Sequence, residues 1–142
     1  MLETMYIAEE MAIKKCCYPS MLGHLFMTHS VHPDTYSCFD AKEKHLPIMK
    51  EGALRIIEAC RERNTLIDLT GVHLQKEESA EDKIAKNGFL VDFQTFVIRE
   101  CINRGVGFCF GSDAHSLRGI GSSREYYKLL LDMVLQSSDS VK

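Results

Sequence analysis

No apolar run in this chain approaches the ~20 residues that a membrane span requires, and residues 1–15 carry Glu3, Glu9 and Glu10 where a signal peptide would be basic and then apolar. These absences argue for a cytoplasmic protein with no membrane segment. A surplus of positive charge is also missing: 17 Lys and Arg against 20 Asp and Glu leave a formal net charge of -3, so there is no basic field for nucleic acid. The six cysteines, at 16, 17, 38, 60, 101 and 109, contain no C-x-x-C pair, which removes the usual structural-zinc spacing; a disulfide framework is not expected in a chain of this length with a core of its own. Cys60, Cys101 and Cys109 fall in apolar-periodic segments and read as reduced core thiols, whereas the adjacent Cys16 and Cys17 read as one buried and one partly exposed thiol at a helix end. Neither standard glycine-rich phosphate loop is present, and no internal repeat or low-complexity linker is visible.

What is present is the composition of one globular domain. The chain has 142 residues, 45% hydrophobic and 26% charged, enough to bury roughly two-thirds of its unfolded surface. Residues 1–136 form the expected domain and 137–142 a polar tail. Helix and strand signals alternate along it. A helix over 2–16 stops before Tyr18-Pro19, because proline disfavours helical geometry in the preceding residue. The short apolar run 21–27, with His24 in its middle, reads as a covered parallel strand. A second helix from about Pro47 to Asn64 carries Ala53, Ile56, Ile57 and Cys60 as its buried stripe. Strand 65–69, a charged, solvated run over 75–86 with room for a helical turn, helix 90–103 with Leu90, Phe93, Val97 and Cys101 inward, Gly105 as a left-handed stop and strand 106–111 follow. The last helix opens on Ser122-x-x-Glu125, a capping box. Strand starts about 40 residues apart suggest parallel strands joined by right-handed crossovers.

Chemistry concentrates just after the third strand, in Gly111-Ser112-Asp113-Ala114-His115-Ser116. In extended backbone residues i and i+2 share a face, so Asp113 and His115 would offer one oxygen and one nitrogen ligand to the same pocket, a pair suited to zinc, manganese or iron. An Asp-x-His also arises often as a solvated loop; its position between a strand end and a helix start, where α/β proteins place their sites, favours the metal. Arg118, three residues past His115, would bind an anionic group through a bidentate guanidinium, or else, the commoner outcome, lie exposed in the loop. His29 and His32 beside Pro33 and Asp34 read as turn residues, and His45 and His73 as surface histidines. Asp68 reads either as a strand-end polar group or as a carboxylate orienting a ligand histidine. Met5, Met11, Met21 and Met27 read as core filler.

The Ser-Asp-Ala-His stretch, with Gly121 after it and Gly105-Val106 before it, resembles the last signature of the polymerase and histidinol phosphatase (PHP) superfamily, closest to its histidinol-phosphatase branch. Leu22-Gly23-His24 resembles an earlier strand of that family whose histidine is a metal ligand, and residues 53–70 resemble the helix and strand that follow it. The resemblance implies an α/β fold: the carboxyl-terminal half of a distorted (β/α)7 TIM-like barrel, with about three parallel strands and four helices. It also implies a divalent transition metal (Zn, Mn or Fe) held by His24, Asp113 and His115, a small phosphorylated substrate, and hydrolysis of a phosphate monoester. The chain departs from the family in having no His-x-His strand, so most of the family's ligands have no counterpart. The expectation is one weakly held metal, with low or absent activity. Open sheet edges would be covered by a homodimer or by the missing amino-terminal half. The alternatives are a non-catalytic PHP-fold remnant serving as a binding or structural module, and a small doubly wound domain binding an anion at helix amino termini.

Overall fold

The computed structural model describes residues 2–17, 21–23, 45–69, 79–111, 120–121 and 123–139. In chain order the elements are α1 (Leu2–Lys15), β1 (Met21–Leu22), α2 (Leu46–Arg63), β2 (Leu66–Leu69), α3 (Ala80–Lys86), α4 (Gly88–Arg104), β3 (Phe108–Phe110) and α5 (Arg124–Asp139). Glu3 in the first turn of α1 and Lys14 and Lys15 in its last complement the helix dipole. Pro47 sits in the first turn of α2, where its missing N–H leaves no bond unmade.

Helices α2 and α4 end in the same way and so deliver β2 and β3 in the same way. Asn64 (φ 52°) and Gly105 (φ 67°) adopt the left-handed conformation. The next residue then donates back five positions: Thr65 N to Cys60 O at 2.9 Å, and Val106 N to Cys101 O at 2.9 Å. This paired closure satisfies the last carbonyls of each helix and turns the chain straight into a strand.

The three strands pair in the order β1-β2-β3, all parallel. Met21 lies opposite Leu66, and Asp68 and Leu69 lie opposite Cys109 and Phe110. One face of β2 is sealed by Ile67 and Leu69, while Leu66 on the other face is 48% exposed. The core behind the sealed face joins Met49, Ile56 and Ile57 of α2, Phe93, Val97 and Ile98 of α4, and Tyr126, Tyr127 and Leu130 of α5. Tyr126 donates its hydroxyl to Gln94 Oε1 at 2.7 Å, a buried bond that ties α5 to α4. Tyr6 of α1 lies directly on Gly52 of α2, where any side chain would strike its ring.

The partial barrel is overturned. Five helices make the described part of the chain 76% helical, and the strands described there span two, four and three residues. In a (β/α) barrel each helix packs on the strands it joins, and the strands must be long enough to tilt and close. Here the helices bury their stripes mainly on one another: α1 on α2, α2 on α4, and α4 and α3 on α5. Two helices, α3 and α4, separate β2 from β3 where the sequence suggested one helix after a charged run with room for a helical turn. Residues 137–139, expected in a polar tail, continue α5, where Ser137 donates its hydroxyl to Val134 O at 2.8 Å.

Candidate functional site

Because all three strands run the same way, the chain leaves each of them at the same edge of the sheet. It leaves β1 at Gly23, β2 at Leu69 and β3 at Gly111. Gly111 N donates to Leu69 O at 3.2 Å, which extends the ladder one residue beyond β3. Ser123, 2% exposed, donates its hydroxyl to Gly111 O at 3.3 Å, and Gly121, in the left-handed region at φ 75°, accepts from Arg124 N at 3.1 Å. Phe110 stacks on Tyr127 with centroids 4.7 Å apart. The two flanks of the 112–119 segment are thereby pinned together at the end of the sheet, beside the first turns of α5.

His24, Asp113, His115 and Arg118 lie outside the described residues, as do His29, His32, His73 and the capping residue Ser122. What the structure fixes is the frame immediately before and after them: Gly23 on one side, Gly111 and Ile120 on the other. Among the described residues no group of three or more His, Cys, Asp or Glu side chains could hold a metal ion.

The side chains that do gather near this edge are on the outer face of the sheet. Asp68 Oδ1 lies 3.6 Å from Cys109 Sγ. Its other oxygen would be 3.9 Å from a Cβ at Gly23, so the carboxylate leans towards the residue that precedes His24. Cys109 Sγ also lies 3.3 Å from Met21 Sδ. Burial, then the negative charge and hydrogen bond of Asp68, push the Cys109 thiol above its ordinary pKa, so it is not a thiolate nucleophile at neutral pH. Sequence reasoning placed Cys109 and Met21 in the core and missed this contact. The alternating Phe108-Cys109-Phe110 is the only local signal that the thiol faces away from the rings, and the register bringing it to Asp68 is set by pairing rather than by any one segment.

The remaining thiols behave differently. Cys60 and Cys101 are fully buried, and desolvation pushes them up to about 11 and about 12. Cys16 is half-buried and Cys17 exposed. A cleft of ≈ 110 Å³ between α1 and α2, lined by Glu3, Tyr6, Ile48, Glu51, Gly52 and Arg55, includes none of the strand-end residues. Among the described residues no helix is long and apolar enough to cross a membrane. No family model, curated protein or solved structure matches the chain.

Proposed function

We propose that this chain belongs to a metal-dependent phosphoesterase related to the histidinol-phosphatase branch of the PHP superfamily, acting on a small phosphate monoester in the cytoplasm. His24, Asp113 and His115 are its metal ligands, and Arg118 receives the phosphate. The reading rests on the Gly111–Ser116 signature and owes nothing to a barrel scaffold. The observation that carries it is the strand-end geometry: Gly23, directly before His24, and Gly111, two residues before Asp113, leave parallel strands at one edge and flank the same central strand. Asp68 leans from that central strand towards Gly23, the position from which a carboxylate would orient the neighbouring histidine. A divalent cation there would lower the pKa of a bound water and neutralise the phosphoryl oxygens. The half-buried and buried thiols suit a reducing compartment. Met21 and Leu66, exposed on one face of the sheet, suit contact with a second copy of the chain.

A second reading, a non-catalytic relative that serves as a binding or structural module, is favoured by one observation: the chain has no His-x-His strand, so most of the family's ligands have no counterpart. Metal analysis and hydrolysis of p-nitrophenyl phosphate separate the two. The hydrolase retains Mn²⁺, Zn²⁺ or Fe²⁺ after gel filtration and turns over slowly, while Asp113→Asn binds at least tenfold more weakly and loses turnover. Protein that retains no metal and hydrolyses nothing with any of the three cations leaves the module.

A further inference from the structure

Met21, Leu66, Asp68 and Cys109 share the outer face of the sheet. In a parallel ladder, register partners point the same way and residues two apart on one strand point the same way; Met21 pairs with Leu66, Asp68 with Cys109, and Leu66 and Asp68 are two apart. The two flanking strands are almost bare beside them. Gly107 leaves room for Leu66, whose Cδ2 would otherwise meet a Cβ at 2.4 Å, and Gly23 leaves room for Asp68. In the resulting trough, one thioether, one thiol and one carboxylate from three different strands converge, with Sγ 3.3 Å from Sδ and 3.6 Å from Oδ1. Met21 is 56% exposed, so solvent reaches the cluster.

We propose that Met21, Asp68 and Cys109 form a binding site for a soft monovalent cation, copper(I), with silver(I) as its redox-inert equivalent. Thiolate and thioether sulfur together favour such soft ions over magnesium or manganese. To hold one ion at about 2.3 Å each, the usual metal–sulfur length, the two sulfurs need only part from 3.3 Å to about 4 Å, a movement open to the exposed Met21 side chain. The Asp68 carboxylate places a negative charge 3.6 Å from Cys109 Sγ, beside the two sulfurs. On binding, the Cys109 S–H bond breaks, an S–metal bond forms and the proton leaves to solvent; no electron changes hands. The site shares Asp68 with the phosphoesterase reading, where that carboxylate orients His24, but its two sulfur donors, Met21 and Cys109, have no part in that reading.

The test uses full-length protein carrying Cys16→Ser, Cys17→Ser and Cys38→Ser, shown by circular dichroism to fold as the parent does. It is labelled with ¹³C at the methionine methyls and titrated with silver nitrate. One equivalent is expected to bind, shifting the Met21 methyl resonance and raising thiolate-to-silver absorption. Cys109→Ser is expected to abolish both signals, Met21→Leu to weaken binding at least tenfold, and Asp113→Asn to leave it unchanged. Met21 is exposed, so its variant keeps the test informative if Cys109→Ser does not fold. A Met21 methyl that stays still through one equivalent, or Met21→Leu binding as tightly as the parent, overturns the site.

Discussion

Glu9 is the carboxyl in α1 whose environment works against its charge. Burial pushes its pKa from 4.5 up to about 6, whereas Glu10 beside it, bonded to Lys14 at 2.8 Å and to Arg55 at 2.7 Å, is held below the ordinary value. A carboxyl raised on folding stabilises the native state while it is protonated. For Glu9 that contribution is complete below about pH 4.5, fades between about 4.5 and about 6, and is absent above. Glu9→Gln removes the burden of a desolvated charge, and the variant is expected to be more stable than the parent by about 1 kcal/mol at pH 7.5, with little difference at pH 4.5. Urea melts at the two pH values measure this. An equal difference at both would show that the effect is packing and not ionisation.

Among the elements, helices were the legible part of the sequence. Ala53, Ile56, Ile57 and Cys60 recur at helical spacing because α2 buries one stripe, and each of them is inaccessible to solvent. Gly105 was readable as a stop because a left-handed residue is what a helix end needs, and Asn64 fills the same role by the same conformation. Strand extent was not legible: Met21–Leu22 is strand and Gly23 already turns, residues 24–27 lie outside the described residues, and a run of apolar residues fits a strand, a turn or a covered loop alike. Nor was the packing of the helices on each other, which decides against a barrel and depends on contacts between segments far apart in the chain. The chemistry-bearing signature was readable, but the meeting of Asp68 with Cys109 and Met21 follows from inter-strand register, which no single segment encodes. Helix α3, where the charged run 75–86 suggested no more than a helical turn, carries a start signal: Ser79 Oγ accepts from Asp82 N at 3.0 Å. Ser79→Ala is expected to cost about 1 kcal/mol in chemical denaturation, and Ser79→Asp to restore most of it. If Ser79→Asp fares no better than alanine, the hydroxyl is not acting as a cap.

For the whole molecule, the question is whether the helical layer and the short sheet open together. Cys60 and Cys101 report on it from α2 and α4, the two helices whose ends launch β2 and β3. Both thiols are fully buried, and desolvation holds them at about 11 and about 12, so neither contributes thiolate to an alkylating reagent while the fold is intact. Cys17, exposed at the end of α1, supplies an internal reference in the same sample. Pulsed iodoacetamide labelling read by mass spectrometry is expected to modify Cys17 at the rate of a free thiol, and Cys60 and Cys101 at least ~10³-fold more slowly, in step with each other as urea is raised. That coincidence is required if α2 and α4 share one core through Ile56, Ile57, Val97 and Ile98, because neither helix can then expose its thiol without losing the packing of the other. Labelling of Cys101 at a urea concentration that leaves Cys60 protected would instead show that α4, with β3 after it, opens as a separate unit, and the frame holding Gly111 would then be less stable than the part of the sheet formed by β1 and β2.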